Sequence, residues 1–293
     1  MNMKKITLIT LLALICTFTS FSQKVSGKLV FEQGQTFTIA VDVKTRVSQQ
    51  ANGNAIDFDL TGTAAHAYKV TNTTADNSTL HHDVKKVSFK FDGMGKYSFD
   101  SDNKKDMDGM FGTFAKDILS KNYDMIIDPS GKALLVRPEK IELTKTDDRL
   151  TIVLAMLREI TNVVYPPKKN ESSFFKVLPD TAVGINDSWE EAGQNEEGSF
   201  KTAYTLSAIT DSTIIVGLKG NASSVSKAEM MGMQTTTTLK TSYTGSIILD
   251  KLTGITKEKT ISIESTGNTE AMGGNLPVTS KTTITISVKP VSQ

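Results

Sequence analysis

From residue 232 to residue 249 the sequence alternates. Met233, Thr235, Thr237, Leu239, Thr241, Tyr243, Gly245, Ile247 and Leu249 fall on one side, and Gln234, Thr236, Thr238, Lys240, Ser242, Thr244 and Ser246 on the other. A period of two belongs to an extended strand, whose successive side chains point to opposite faces; a helix gives the same residues no coherent face. The β-branched threonines suit a pleated, half-wet surface. This is the centre of a meander that runs from Ser199 to Val288. Phe200, Tyr204, Leu206 and Ala208 alternate before it and Ile214, Val216 and Leu218 after the turn at Asp211-Ser212. Beyond the Asp250–Gly254 turn, Ile261 and Ile263 belong to a fourth strand and Leu276, Val278, Ile284, Ile286 and Val288 to a fifth.

A second stretch of the same kind lies nearer the N-terminus. A short strand from Lys28 turns at Gly34 into a longer one carrying Phe37, Ile39, Val41, Val43 and Val47. Asn52-Gly53 between alternating runs is a strong hairpin signal. The return strand puts Ile56, Phe58, Leu60, Ala64, His66, Tyr68 and Val70 on one face, and Val87, Phe89 and Phe91 mark a third strand. Between the meanders the pattern changes. Asp108 can cap a helix over 108–120 in which Met110, Phe111, Phe114 and Ile118 recur at helical spacing. A hairpin turns at Asp128-Pro129-Ser130-Gly131, and Leu150, Val153, Leu154, Leu157, Ile160 and Val164 form the stripe of a helix over 147–164, stopped by Pro166-Pro167. Residues 168–198 read as a connector, with Gly184 and Trp189 as structural anchors.

The fold class that follows is mainly β (α+β): antiparallel sheets of long strands, as two twisted sheets or a duplicated half-barrel, with two covering helices. The expected divisions are a signal peptide over 1–22, an N-terminal meander over 23–105, a helical and hairpin bridge over 106–198 and a C-terminal meander over 199–293; residues 23–293 also fit one continuous domain.

Lys4-Lys5, the apolar run over 6–18 and small Ser20 and Ser22 have the charge, length and cleavage site of a secretory signal, cut after Ser22. Cys16 lies inside that apolar run behind Ile15, which disfavours lipidation. Removing 22 of the 293 residues leaves 271, with 31 basic against 32 acidic side chains once Lys4 and Lys5 are gone. That balance gives no support to a nucleic-acid partner. No later apolar stretch approaches the ~20 residues of a membrane helix. The expected location is the periplasm, the cell envelope or the exterior.

The chemistry-bearing residues are sparse. His81 and His82 are adjacent, so a strand points them to opposite faces and they cannot grip one ion together. They read as a polar strand edge, and His66 as a hydrogen-bonded core position. Asp100, Asp102, Asp106 and Asp108 cluster, yet Lys104 and Lys105 stand where a calcium loop wants an oxygen donor and glycine, so they read as a solvated loop. Past residue 22 there is no cysteine, no Gly-x-Ser-x-Gly elbow and no phosphate-cradling loop. The reading is a non-enzyme without cofactor or metal. Methionines near the turns, with flexible thioethers, read either as core filling or as an adaptable apolar surface. Met110, Phe114, Leu157, Met231, Met233, Leu239 and Tyr243 are the residues named for that contact surface.

Several fixed points together resemble a family of uncharacterised secreted or envelope proteins of Bacteroidota. They are Leu29-x-x-Glu32-x-Gly34-Gln35-x-Phe37, Asp128-Pro129-Ser130-Gly131, Leu178-Pro179, Val183-Gly184-x-x-Asp187-Ser188-Trp189 and Leu249-Asp250-x-x-Thr253-Gly254. The resemblance covers most of the chain after residue 22 and carries no activity or catalytic residues. By architecture alone, the long strands and interposed helices are also similar to the half-barrel lipoprotein carriers of the Gram-negative periplasm. The expected partners are an apolar or amphipathic ligand such as a lipid, or another envelope protein for which the chain is a structural or interaction module.

Overall fold

A computed structural model describes residues 23–51, 54–93, 95–142, 165–195, 197–230, 233–271 and 274–291. The chain is mainly β. The strands are β1 (Thr36–Ala51), β2 (Asn54–Thr73), β3 (Ser78–Asp92), β4 (Lys96–Asp100), β5 (Asn122–Ile127), β6 (Ala133–Arg137), β7 (Ser188–Asn195), β8 (Gly198–Ile209), β9 (Thr213–Met230), β10 (Met233–Asp250), β11 (Thr256–Ala271) and β12 (Gly274–Val291). Two short helices, α1 (Lys104–Met107) and α2 (Gly112–Leu119), follow β4.

The strands form a single antiparallel sheet, where the sequence also allowed two. Its order is β6-β5-β3-β2-β1-β12-β11-β10-β9-β8-β7, with β4 also on β3. The first and last meanders are joined by the pairing of β1 with β12, from Thr36 opposite Val291 to Gln49 opposite Val278. Laid flat, the ten steps from β6 to β7 would separate the edges by about 48 Å. Yet one residue touches both edges. Ser172 pairs with Lys132 beside β6, and its Oγ donates to Glu191 Oε1 of β7 at 3.4 Å. The sheet is therefore rolled, with its seam bridged by the connector after residue 165. That strap is held to the β6 side by backbone bonds: Asn170 N to Ala133 O (2.7 Å), Ala133 N to Glu171 O and Ser173 N to Gly131 O (both 2.9 Å).

The apolar side of every long strand turns inward. Phe37, Ile39, Val41 and Val43 of β1 oppose Tyr68, His66, Ala64 and Gly62 of β2, and the β1 residues are buried. Phe114, Ala115 and Ile118 of α2 are buried in the same cluster. Strap residues fill both halves: Phe175 joins the β1–β6 cluster, and Leu178 and Val183 join Leu206, Val216 and Ile247 of the other.

The scattered sequence motifs meet at one end. In the Asp128–Gly131 turn, Asp128 Oδ1 accepts from Ser130 N, Ser130 Oγ and Lys132 N. Asp250 Oδ1 accepts from Leu252 N, Thr253 N and Thr253 Oγ1. Gly131 and Gly254 have φ of 88° and 69°, where a side chain is strained. The segment before β1 ties the turns together: Leu29 N donates to Pro129 O, Val30 N to Thr253 O, and Gly27 N to Pro179 O. Residues 28–33 are not the short strand expected; their backbone bonds go to turns rather than to a ladder.

Other expectations are corrected. Of the helix expected over 108–120 only Gly112–Leu119 forms, as α2, and residues 108–111 separate it from α1, which lies before the expected start. Asn103 caps α1, Asp108 is its C-cap, and the N-cap of α2 is Phe111 with no side-chain bond. Gly109 and Gly112 account for the break. Residues 188–195, expected within the connector, form edge strand β7. The helix expected over 147–164 lies outside the described residues.

Candidate functional site

The inner face of the rolled sheet is graded. In one row across it Val216, Ile247, Ile286, Val41, Ala64 and Val87 are buried, and Lys259, between Ile247 and Ile286, is half-buried. Four residues along β10 toward the tips lies the row of Gly220, Tyr243, Ile263, Thr282 and Thr45. There Tyr243, Ile263 and Thr282 are half-buried. Eight residues along, Ser224, Leu239, Gly267, Val278 and Gln49 are half-buried and Ile56 is 37% exposed. The half toward the hairpin tips thus leaves its apolar side partly uncovered.

That surface holds almost no charge. On the described strands, inward positions carry Asp, Glu, Lys or Arg only at Glu191 and Lys259. Its hydroxyls pair with one another: Thr45 with Thr282 and Thr237 with Thr269 at 3.0 Å, Thr241 with Ser265 at 2.8 Å, and Thr202 with Tyr243 at 2.7 Å. Cross-strand pairing gives each of these hydroxyls a partner on the neighbouring strand, which lowers the polarity of the face. Tyr243 reaches Thr202 across Gly220, where a Cβ would stand 2.5 Å from its ring. Beside it Trp189 stacks on Tyr204 (5.6 Å, 12°). The Tyr204 hydroxyl donates to Glu191 Oε2 at 3.2 Å, and burial, then the Glu191 charge, raises its pKa.

The residues named from the sequence are dispersed. Leu239 and Tyr243 share the inner face of β10. Met233 opens that strand, while Met231 and Leu157 lie outside the described residues. Phe114 is buried in α2 and Met110 is 47% exposed between the helices. Trp189 is half-buried on β7, and Gly184 N donates to Asp187 Oδ2 at 2.7 Å in the turn before it.

The histidines depart from the edge reading. His81 does face solvent, with Nδ1 2.7 Å from Asp124. His82, however, is fully buried, because β5 pairs with β3 and places Tyr123 opposite it. His66 Nδ1 lies 3.1 Å from His82 Nε2, and the Tyr68 and Tyr123 hydroxyls are 2.6 Å apart. Alternation gave each residue's face; the pairing of β3 with β5 is non-local and invisible in it. The aspartate cluster is closed by a cation, since Lys86 Nζ binds Asp100 and Asp102. Among the described residues no group of three or more His, Cys, Asp or Glu is placed to hold a metal.

A model of a family of unknown function (DUF6263) matches residues 167–256, from the strap through the turn after β10. No protein of curated function matches the sequence. Among solved structures, the chain is similar to a structure described as lipid–protein interactions in lipovitellin (TM-score 0.46, 13% identity), over 90% of this chain and 26% of that one. It is also similar to an outer membrane channel from Pseudomonas putida F1 (TM-score 0.27, 8% identity, 89% and 98% covered). A third is the β domain of the Bordetella autotransporter BrkA (TM-score 0.24, 6% identity, 87% and 99% covered). The chain spans about a quarter of the lipovitellin chain. At these scores the likenesses carry no functional argument. The outward side differs from a lipid-facing barrel: Gln234, Thr238, Lys240, Ser242 and Thr244 of β10 and Glu258, Ser262, Glu264 and Thr266 of β11 are exposed, where a membrane barrel carries an apolar band.

Proposed function

We propose that the chain is an exported, non-catalytic protein of the periplasm or cell envelope that binds an amphipathic ligand on the inner face of its rolled sheet. One observation carries this: the inward side goes from buried Ile247 and Ile286 to half-buried Leu239 and Val278, whose row, one step beyond that of Glu191 and Tyr243, carries no charged side chain. A surface of apolar and self-paired hydroxyl groups favours acyl chains and disfavours ions. Leu239 and Tyr243 are the contact residues this reading names.

The test is native mass spectrometry of the mature protein after incubation with fatty acids and phospholipids, beside Leu239→Lys and Val278→Lys. Uptake by the parent, weakened at least ~10-fold in both variants with an unchanged circular dichroism spectrum, is expected. A parent that takes up none of these ligands, or variants that bind as well as it does, would sink the reading.

A second reading, docking of another envelope protein, has one observation in its favour. Residues 226–230 of β9 and 54–58 of β2 run past the registers of β8 and β3 and pair on one side only. Such edges accept an added strand. A partner recovered from envelope fractions and lost on placing proline at Lys227 would favour it; recovery unaffected by that proline would count against it.

A further inference from the structure

The ligand reading leaves the buried imidazole pair without a role. His66 and His82 have no exposed surface. Their rings stack at 5.3 Å, and Tyr68 and Tyr123 flank His82 at 4.7 and 4.5 Å. The inter-ring bond occupies one nitrogen of each. Among the described residues His66 Nε2 and His82 Nδ1 have no hydrogen-bond partner. Whichever ring donates in the neutral pair, one orphaned N–H and one orphaned lone pair remain. A first added proton makes a buried imidazolium with a second unsatisfied N–H. A second would set N–H against N–H across 3.1 Å and break the bond.

The surroundings offer a charge little help. Opposite His66 stand Ile39 on β1 and Val84 on β3. Tyr68 on β2 and Tyr123 on β5 present ring faces, and their hydroxyls bond each other. Stacking on a tyrosine ring favours a cation, but supplies no acceptor for the outer N–H. The charged neighbours along β3 are His81, Asp83 and Lys85; Asp83 favours the charged form of His82, and His81 and Lys85 oppose it. Burial, followed for His82 by His66, lowers the pKa to about 4 for His66 and about 3 for His82.

The strap meets this cluster at Tyr68. Phe174 stacks on Tyr68 at 6.4 Å and Phe175 meets its ring edge-on at 5.2 Å. On the far side of the seam the strap meets β7 through the 3.4 Å bond of Ser172 to Glu191. Tyr68 in turn flanks His82, so the two strap rings and the imidazole pair share it as a neighbour. We propose that the His66–His82 pair is a proton-operated latch, whose protonation releases residues 170–178 from the sheet and opens the seam between β6 and β7. This holds whether or not the interior carries a ligand.

Hydrogen-exchange mass spectrometry of the mature protein between pH 7.5 and 5.0, corrected for the intrinsic pH dependence, tests it. Release of one histidine from a pKa of about 4 to the ordinary 6.5 raises the open population about 30-fold over that range. The latch predicts that loss of protection in 170–178, with β9–β12 unchanged, and its absence in His66→Gln/His82→Gln. His81→Gln, at the solvent-facing imidazole, should behave as wild type. Uniform loss across all strands, no loss, or equal loss in the double variant would overturn the proposal. Should that variant not fold, imidazole proton shifts of the wild type decide by NMR: the opening midpoint must follow His66 or His82, and one that follows only His81 overturns it.

Discussion

Tyr68 and Tyr123 offer the sharpest test of the core as described. Their hydroxyls are 2.6 Å apart on side chains 1% and 2% exposed, one from β2 and one from β5. Burial, with a contribution from Tyr123, pushes the Tyr68 phenol well above its ordinary pKa, and burial takes Tyr123 to about 12, so both stay neutral at any ordinary pH, one donating to the other. Tyr68→Phe removes one partner and strands the other hydroxyl in the core, costing about 1–3 kcal/mol; Tyr123→Phe does the same from the other side. The double variant leaves no orphan and should cost no more than either single change. The expected coupling is therefore about 1–3 kcal/mol, far beyond the few tenths by which independent sites depart from additivity. Urea unfolding followed by Trp189 fluorescence and by circular dichroism measures all four proteins, with a common slope required. A double variant destabilised by the sum of the single changes would refute the reasoning, since each hydroxyl would then have a separate partner.

Three further outcomes follow from the same geometry. The folded pKa values of His66 and His82 lie below the unfolded 6.5, so the unfolded chain binds protons first. The stability they contribute is complete above about pH 6.5 and falls by about 2–3 kcal/mol per histidine toward pH 4.5; urea midpoints should show a shallower acid slope in His66→Gln/His82→Gln, and identical slopes would contradict this. Gly220→Ala puts a Cβ 2.5 Å from both the Tyr243 ring and Lys201 O, which should break the bond to Thr202 and cost about 1–3 kcal/mol in thermal unfolding; an unchanged Tm would show that Tyr243 has room to move. The Lys86–Asp102 pair is exposed on its aspartate side, so Asp102→Asn should cost under about 1 kcal/mol, and millimolar calcium should leave Tm unchanged; a calcium-dependent rise would restore the metal reading of this loop.

The strands were largely legible because alternation is a local signal. Leu239, Tyr243 and Ile247 share the inward face read from their spacing, and β1 and β2 pair as a hairpin on either side of Asn52-Gly53, which itself lies outside the described residues. What failed was non-local. His82 sits in a run that reads as a polar edge until β5 is placed beside it, and nothing in His81-His82-Asp83 announces Tyr123. Trp189 and its carboxylate neighbours read as a loop because the edge strand they form has one face in solvent. The turns at Asp128 and Asp250 were visible as motifs, whereas their shared docking on Leu29 and Val30 depends on contacts more than ninety residues apart. For the proposed surface, periodicity placed Leu239 and Tyr243 on the inward face. The hydroxyl pairs beside them were missed, because the partners, such as Thr241 and Ser265, meet only once β10 and β11 are paired.

Everything rests on the sheet being rolled. Past residue 22 the chain has no cysteine, so spin labels at Lys132→Cys and Glu190→Cys report without further changes. Lys132 lies beside β6 and Glu190 on β7 next to Glu191, with Ser172 between the two edges. Pulsed electron–electron resonance on this pair should give a distance below about 30 Å, with the label arms included. A distribution centred near the roughly 48 Å of a flat ten-step sheet would contradict the account.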